Sequence, residues 1–122
     1  MPGVVESAVR TYIEAAEERD AQKRAALLEQ CLADDMRLIT RGSVLTGRAR
    51  VEKMLERVHG DPAFKGIRLT SKLDLGATTF RYASVVEFKS GKVVEFFDAG
   101  EVGPDGKISL LLVFDGPLAA AV

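Results

Sequence analysis

The sequence lacks the residues that build the commonest catalytic centres. Its 122 residues include one cysteine and one histidine. A single histidine excludes a metal site made of several histidines, and a Ser-His-Asp triad would have to use His59. No Cys-x-x-Cys, no His-Glu-x-x-His and no glycine-rich phosphate loop is present. We therefore expect neither a metal nor a cofactor.

An excess of charge of one sign is also missing. Seventeen basic residues stand against eighteen acidic ones, a net charge of -1, and no dense Lys/Arg block occurs. This balance argues against nucleic acid and against an anionic membrane as partners. The longest strongly apolar run, Leu110 to Phe114, is far too short to span a bilayer.

The single cysteine, Cys31, cannot form an internal disulfide. It falls in an apolar helical stretch, which favours a buried and inert thiol. The first residues show no basic leader followed by an apolar segment, so a secretory signal is not supported. From these two observations we expect a cytoplasmic protein.

What is present is ordinary globular material, 47% hydrophobic and 29% charged. The length is close to the commonest size of one domain, so we expect a single domain over residues 1–122. Helical spacing of apolar residues predicts amphipathic helices over residues 4–19 and 21–32, the second capped by Asp20, and a third helix that closes near His59 and Gly60. The stripes are Val5, Val9, Tyr12 and Ala16 in the first helix, Leu27, Leu28, Cys31 and Leu32 in the second, and Val51, Met54, Leu55 and Val58 in the third.

The period changes from helical to two after Gly66. A short strand is expected at residues 36–40, followed by a loop at 41–47, and four strands of an antiparallel meander follow the third helix. Ser90 and Gly91 fit a tight hairpin, and residues 103–106 fit the next turn. Three helices followed by a curved sheet define an α+β fold in which the helices cover one sheet face.

The last predicted strand, "KISLLLVFD", is apolar on both faces. Ser109, Leu111 and Val113 alternate with Ile108, Leu110, Leu112 and Phe114. A strand that is buried on both sides needs a second cover, and in a short chain a partner subunit can supply it. We expect a homodimer through the sheet.

One acid in the stretch "KVVEFFDAGEV" lies on the wrong face for a solvated carboxylate. Period two places Asp98 between Phe96 and Val102, whereas Glu95 and Glu101 lie on the opposite face. An ionised carboxylate on an apolar face must be paired, hydrogen-bonded or protonated. Three hypotheses remain open: an ion pair, a wet rim at the strand end, or a functional site. The candidate partners for an ion pair are Arg41, Arg48 and Arg50.

Two other polar side chains are candidates for the same site. Tyr12 lies on the buried stripe of the first helix, and a buried phenol normally finds a hydrogen-bond partner. It is either capped by a backbone carbonyl or its hydroxyl converges with Asp98 on one cavity. His59 lies where a helix ends, and we expect it to be solvated there, favoured by the helix dipole, rather than catalytic.

The sequence resembles the nuclear transport factor 2-like superfamily, which includes ketosteroid isomerases and SnoaL-like polyketide cyclases. The resemblance spans nearly the whole chain and rests on "VRTYIEAAEERD", "CLADDMRLITRGSVLTGRARVEKML" and "FFDAGEVGPDGKISLLLVFDG". It implies a cone-shaped, curved antiparallel sheet wrapped around three N-terminal helices, with a deep apolar pocket. Many members of the superfamily are dimers.

The resemblance to ketosteroid isomerases implies roles for two residues. Tyr12 matches the oxyanion-hole tyrosine, and Asp98 matches the aspartic acid that an apolar site keeps neutral so that it can donate a hydrogen bond. The general base of that family has no counterpart, because Thr40 and Arg41 occupy the aligned region and neither is a proton-abstracting base at neutral pH. The paired polar groups of the epoxide-hydrolase branch are also missing, since Tyr82 and Ser84 stand in the third strand.

From these matches we predict a protein that binds a small apolar molecule bearing a carbonyl or a hydroxyl. Its enzymatic version is an isomerase or cyclase of polyketide-like or steroid-like substrates with a Tyr12/Asp98 oxyanion hole. The alternative is a non-catalytic dimerisation or partner-binding module with a filled pocket. The further residues predicted to contact the ligand are Thr40, Met54, Phe80, Tyr82, Ser84, Phe96 and Gly100.

Overall fold

The computed structural model describes residues 3–121. Two helices, α1 (Val4–Glu17) and α2 (Ala21–Cys31), precede the first strand, and a third, α3 (Arg48–Gly60), follows the second strand. The strands are β1 (Leu32–Ile39), β2 (Val44–Thr46), β3 (Phe64–Leu69), β4 (Asp74–Leu75), β5 (Thr79–Phe88), β6 (Val93–Val102) and β7 (Ile108–Asp115). No helix in this part of the chain is both long enough and apolar enough to span a bilayer.

The helices form where the apolar spacing predicts them. Asp20 caps α2, since its carboxylate accepts hydrogen bonds from the backbone N–H groups of Gln22 and Lys23 at 3.0 Å each, which satisfies donors that have no partner inside the helix. The predicted helical position of Leu32 is wrong. The chain becomes extended at this residue, and Leu32 starts β1 with its side chain fully buried.

The strands form one curved sheet in the order β2-β1-β7-β6-β5-β3, with the short β4 paired to β5. The strands β3, β5, β6 and β7 make the predicted antiparallel meander. β1 extends it by pairing in parallel with β7. The segment predicted as a loop at 41–47 contains β2, which pairs antiparallel with β1 and lengthens this edge of the sheet.

The hairpin between β5 and β6 is one residue longer than a two-residue turn. The N–H of Phe88 donates to the carbonyl of Lys92, so three residues form the loop. Gly91 lies at a φ of 93°, a left-handed conformation that suits glycine. This loop length places Tyr82 directly opposite Asp98.

The core lies between the helices and the inner face of the sheet. Side chains of all three helices are buried there against inner-face residues of β5 and β7, among them Val9, Leu28, Val51, Phe80 and Leu111. Cys31 belongs to this core, as predicted, and burial raises the pKa of its thiol to about 12.

Candidate functional site

A cavity of about 200 Å³ lies between the helices and the inner face of the sheet. Residues of α1, α3 and most of the sheet line it, and most of these side chains are apolar. The polar exceptions are Tyr12, Thr40, Tyr82, Ser84 and Asp98. Because the lining is almost wholly apolar, each of these groups has few ways to be satisfied, and their hydrogen bonds define the chemistry of the site.

Asp98 is a buried acid without an ion pair to any described residue. Its residue is 8% exposed, which contradicts a position at a wet rim. The ion-pair hypothesis fails as well, since Arg41 pairs with Asp115 and Arg48 with Asp34. Arg50 forms no salt bridge within residues 3–121.

The one hydrogen bond of the Asp98 carboxylate within residues 3–121 comes from a neighbouring strand. The hydroxyl of Tyr82 donates to Asp98 Oδ2 at 3.0 Å. Oδ1 is buried and has no partner among the described residues. One oxygen is thus held by the protein, while the other keeps its full capacity to accept a hydrogen bond or a proton.

Burial raises the pKa of Asp98 from 3.8 to about 6, and the hydrogen bond from Tyr82 lowers it in part. A carboxyl group with that pKa is roughly nine-tenths ionised at pH 7. The expectation of a neutral, donating Asp98 therefore holds only in mildly acidic solution. At neutral pH the carboxyl group is mainly ionised and accepts hydrogen bonds, because its pKa stays below 7.

Tyr12 lies close to this acid. Its side chain is 5% exposed and lines the same cavity. Burial raises the pKa of Tyr12, and the charge of Asp98 raises it further. The hydroxyl therefore keeps its proton, and it makes no hydrogen bond to another described residue. A free phenol donor and a carboxylate acceptor thus meet in one apolar cavity.

The structure brings most of the other predicted ligand contacts to the same cavity. Thr40, Met54, Tyr82, Ser84 and Phe96 all line it. The Thr40 hydroxyl is already engaged with the Ser43 hydroxyl at 3.0 Å. Ser84 makes no side-chain hydrogen bond within residues 3–121, so its hydroxyl is free to meet a ligand.

Phe80 and Gly100 lie outside the cavity lining, contrary to their prediction as ligand contacts. Phe80 is a core residue with 3% exposure, and its ring covers Gly100. A Cβ atom on Gly100 would lie 2.6 Å from Phe80 Cζ, so only glycine admits the ring there. The space expected beside Asp98 is filled by this ring, which stacks on Tyr82 with 6.2 Å between centroids. Phe80 packs against Tyr82 and does not line the cavity.

His59 does not line the cavity. The prediction that its ring is solvated is wrong. The ring is half-buried, and Nε2 donates to the carbonyl of Ala16 at 2.8 Å, a tautomer assigned from its carbonyl partner. Phe64 packs edge-on against the ring at 5.0 Å. His59 links α3 to the end of α1, which is a structural role.

The hydrogen bond between Tyr82 and Asp98 was not predicted from the sequence. The signal was present in the alternation of both strands, because Phe80, Tyr82 and Ser84 must share a face with Phe96 and Asp98. Only an odd number of loop residues satisfies both patterns. A two-residue loop at Ser90 and Gly91 would have placed an alanine opposite Asp98.

Solved structures with similar folds connect this architecture to known proteins. A proposed isomerase of the SnoaL-like family from Agrobacterium tumefaciens has a TM-score of 0.81 at 20% identity, over 93% of this chain and 98% of that one. A nuclear transport factor 2-like protein of unknown function from Cytophaga hutchinsonii has a TM-score of 0.70 at 13% identity, over 93% and 90%. An LEH-like epoxide hydrolase from Mycobacterium tuberculosis has a TM-score of 0.68 at 19% identity, over 93% and 82%.

These similarities confirm the predicted fold class. The chain has the nuclear transport factor 2-like fold, an α+β cone in which a curved sheet wraps around three helices. No protein-family model matches the chain, and no curated protein matches its sequence significantly.

Proposed function

We propose that this protein binds a small, mostly apolar molecule that carries one hydroxyl or carbonyl oxygen at the Tyr12/Asp98 end of the cavity. The observation that carries the proposal is one apolar cavity that Tyr12 and Asp98 both line, with Asp98 Oδ1 left without a hydrogen-bond partner among residues 3–121. A buried acceptor of this kind costs free energy unless a ligand or a water molecule satisfies it.

A hydroxyl suits the site better than a carbonyl at neutral pH. Ionised Asp98 accepts a hydrogen bond from the ligand hydroxyl, and Tyr12 donates one to the same ligand oxygen. A carbonyl oxygen can use only the Tyr12 donor until Asp98 is protonated, near pH 6. Ligand preference is therefore expected to shift from hydroxyl towards carbonyl compounds as the pH falls through 6.

The volume limits the ligand to the size of one or two rings. A cavity of about 200 Å³ exceeds the engineered cavity of about 150 Å³ that binds benzene, and it lies below the usual range of drug-sized sites. An open cavity of this kind also supports ligand binding over the alternative of a partner-binding module whose pocket is filled by side chains.

A proton-transfer enzyme is the second candidate function, and the pKa of Asp98 favours it. A carboxylate with a pKa of about 6 is a stronger base than an ordinary aspartate and can fill the role that Thr40 and Arg41 cannot. Asp98 would take a proton from the carbon beside a ketone, the C–H electron pair would form an enolate, and Tyr12 would donate to its oxygen. With a β,γ-unsaturated ketone the enolate is conjugated with the C=C bond, so return of the proton to the far carbon of that bond would move the double bond and complete an isomerisation.

The binding proposal is tested with a phenol and its methyl ether. Above pH 7, 4-propylphenol should bind wild-type protein about tenfold or more tightly than 4-propylanisole, which cannot donate, and Asp98→Asn and Tyr12→Phe should each lose most of that preference. Glu95→Gln, on the opposite sheet face, is the control. Equal binding of both probes to wild type would contradict the proposal.

The enzymatic version has its own readout. In D₂O the wild-type protein should exchange the protons beside the carbonyl of 2-tetralone faster than buffer does, and Asp98→Asn should remove the acceleration. Phenol binding without any accelerated exchange would leave a binding protein and reject the isomerase.

We also propose a homodimer through the outer face of the sheet. Phe97 and Phe114 lie opposite each other on adjacent strands and are 42% and 51% exposed. Exposed aromatic pairs on a sheet face are typical of an interface. Sedimentation equilibrium should give a dimer at micromolar concentration, weakened by Phe97→Asp, and a wild-type monomer would contradict it.

A further inference from the structure

We propose that Ser84 is a second polar anchor in the cavity, so that the ligand is a two-ended molecule with a hydrogen-bonding group at each end of an apolar body. This inference rests on the proposed function, since it takes the Asp98 end as the first anchor. It narrows the ligand from any small apolar alcohol to a class with two polar groups at a set separation.

The position of Ser84 follows from strand register. Ser84 lies two residues beyond Tyr82 on the inner face of β5, opposite Phe96 on β6. Tyr82 lies opposite Asp98, so Ser84 and Asp98 are diagonal neighbours. Diagonal pairs in an antiparallel sheet lie roughly 7–8 Å apart. The two polar groups of the ligand should therefore be separated by a distance of that order.

The hydroxyl of Ser84 is not engaged by the protein itself. The residue is 9% exposed and lines the cavity, and no described side chain or backbone group forms a hydrogen bond with the hydroxyl. The neighbouring polar lining residue, Thr40, differs in this respect, because its hydroxyl is tied to Ser43. A hydroxyl that lines an apolar cavity without a protein partner can form a hydrogen bond with a ligand group there.

A matched pair of probes isolates this second anchor. The phenol 4-(2-hydroxyethyl)phenol carries hydroxyls at both ends at about the required separation, and 4-propylphenol has the same number of non-hydrogen atoms with a methyl group in place of the second hydroxyl. Both have the phenol that the Asp98 end binds. The ratio of their dissociation constants therefore reports the second anchor alone, whatever the strength of the first.

Binding of both probes is measured by NMR titration of wild type, Ser84→Ala and the control Ser7→Ala, whose serine is exposed on α1. Ser84→Ala should shift the ratio about five- to tenfold against the two-ended probe, as one neutral hydrogen bond predicts, and should leave 4-propylphenol affinity nearly unchanged. Ser7→Ala should leave both affinities unchanged.

The outcomes separate the two proposals. If 4-propylphenol binds in an Asp98-dependent way and Ser84→Ala leaves the ratio unchanged, the second anchor is wrong and the proposed function stands. If neither probe binds wild-type protein, the proposed function fails and this inference fails with it.

Discussion

Both faces of β6 carry acidic side chains, which are exposed on one face and buried on the other. Glu95 and Glu101 lie exposed on the outer face, whereas Asp98 lies buried on the inner face. Asp98 is only three positions from each of these glutamates along the strand. Water solvates the outer acids, while a single hydroxyl and an apolar cavity surround the inner one. The chemistry of an acid on this strand is thus set by the sheet face it occupies, which in turn depends on register.

The largest expected effect comes from removing the buried ring of Phe80 on the inner face of the sheet. Phe80→Ala should lower the free energy of unfolding by about 3–5 kcal/mol, because it removes a fully packed ring and leaves a void beside Gly100. Val93→Ala, at an exposed position of the outer face, should cost less than about 1 kcal/mol. Urea unfolding of both variants measures the difference. Equal losses would contradict the assignment of Phe80 to the core.

The next effect is the gain in stability expected for Asp98→Asn, which depends on pH. The folded-state pKa of Asp98, about 6, lies above its ordinary value of 3.8, so the folded state binds this proton more tightly and loses stability as the pH rises through that window. The loss amounts to about 3 kcal/mol above pH 7. Asp98→Asn cannot ionise, and it should be more stable than wild type by about that amount at pH 8 and nearly equal to it near pH 4.

The control for this prediction comes from the opposite face. Glu95→Gln should follow the wild-type unfolding curve within about 0.5 kcal/mol at every pH, as exposed surface substitutions usually do. A constant difference between Asp98→Asn and wild type from pH 4 to 8 would show that the acid is already solvated in the folded protein.

Much of this inner face could be predicted from the sequence. Period two placed Asp98 among apolar residues, and helical spacing placed Tyr12 on a buried stripe, since both patterns are local. The hydrogen bond from Tyr82 and the covering of Gly100 by Phe80 depend on cross-strand register, which one residue in the hairpin loop decides. The charge of Asp98 depends on how much water the closed cone excludes, and no local pattern reports that.

The smallest of these effects concerns the hydroxyl that holds Asp98 Oδ2. Tyr82→Phe should cost about 1.5–3 kcal/mol at pH 8, where the hydrogen bond serves an ionised carboxylate. The cost should be smaller near pH 4, where the carboxyl group is neutral. Thermal or urea unfolding at the two pH values checks this, and a cost that is the same at both would show that the hydroxyl stabilises the fold without serving the charge.

The ionisation of Asp98 is the most direct test of the account, because both the binding mode and the pH dependence follow from it. The carboxyl carbon of Asp98 should titrate in ¹³C NMR with a midpoint near 6. In Tyr82→Phe the Asp98 midpoint should rise, since the hydrogen bond that lowers its pKa is lost. A wild-type midpoint near 3.8 would mean that water reaches this acid, and it would contradict the buried anchor.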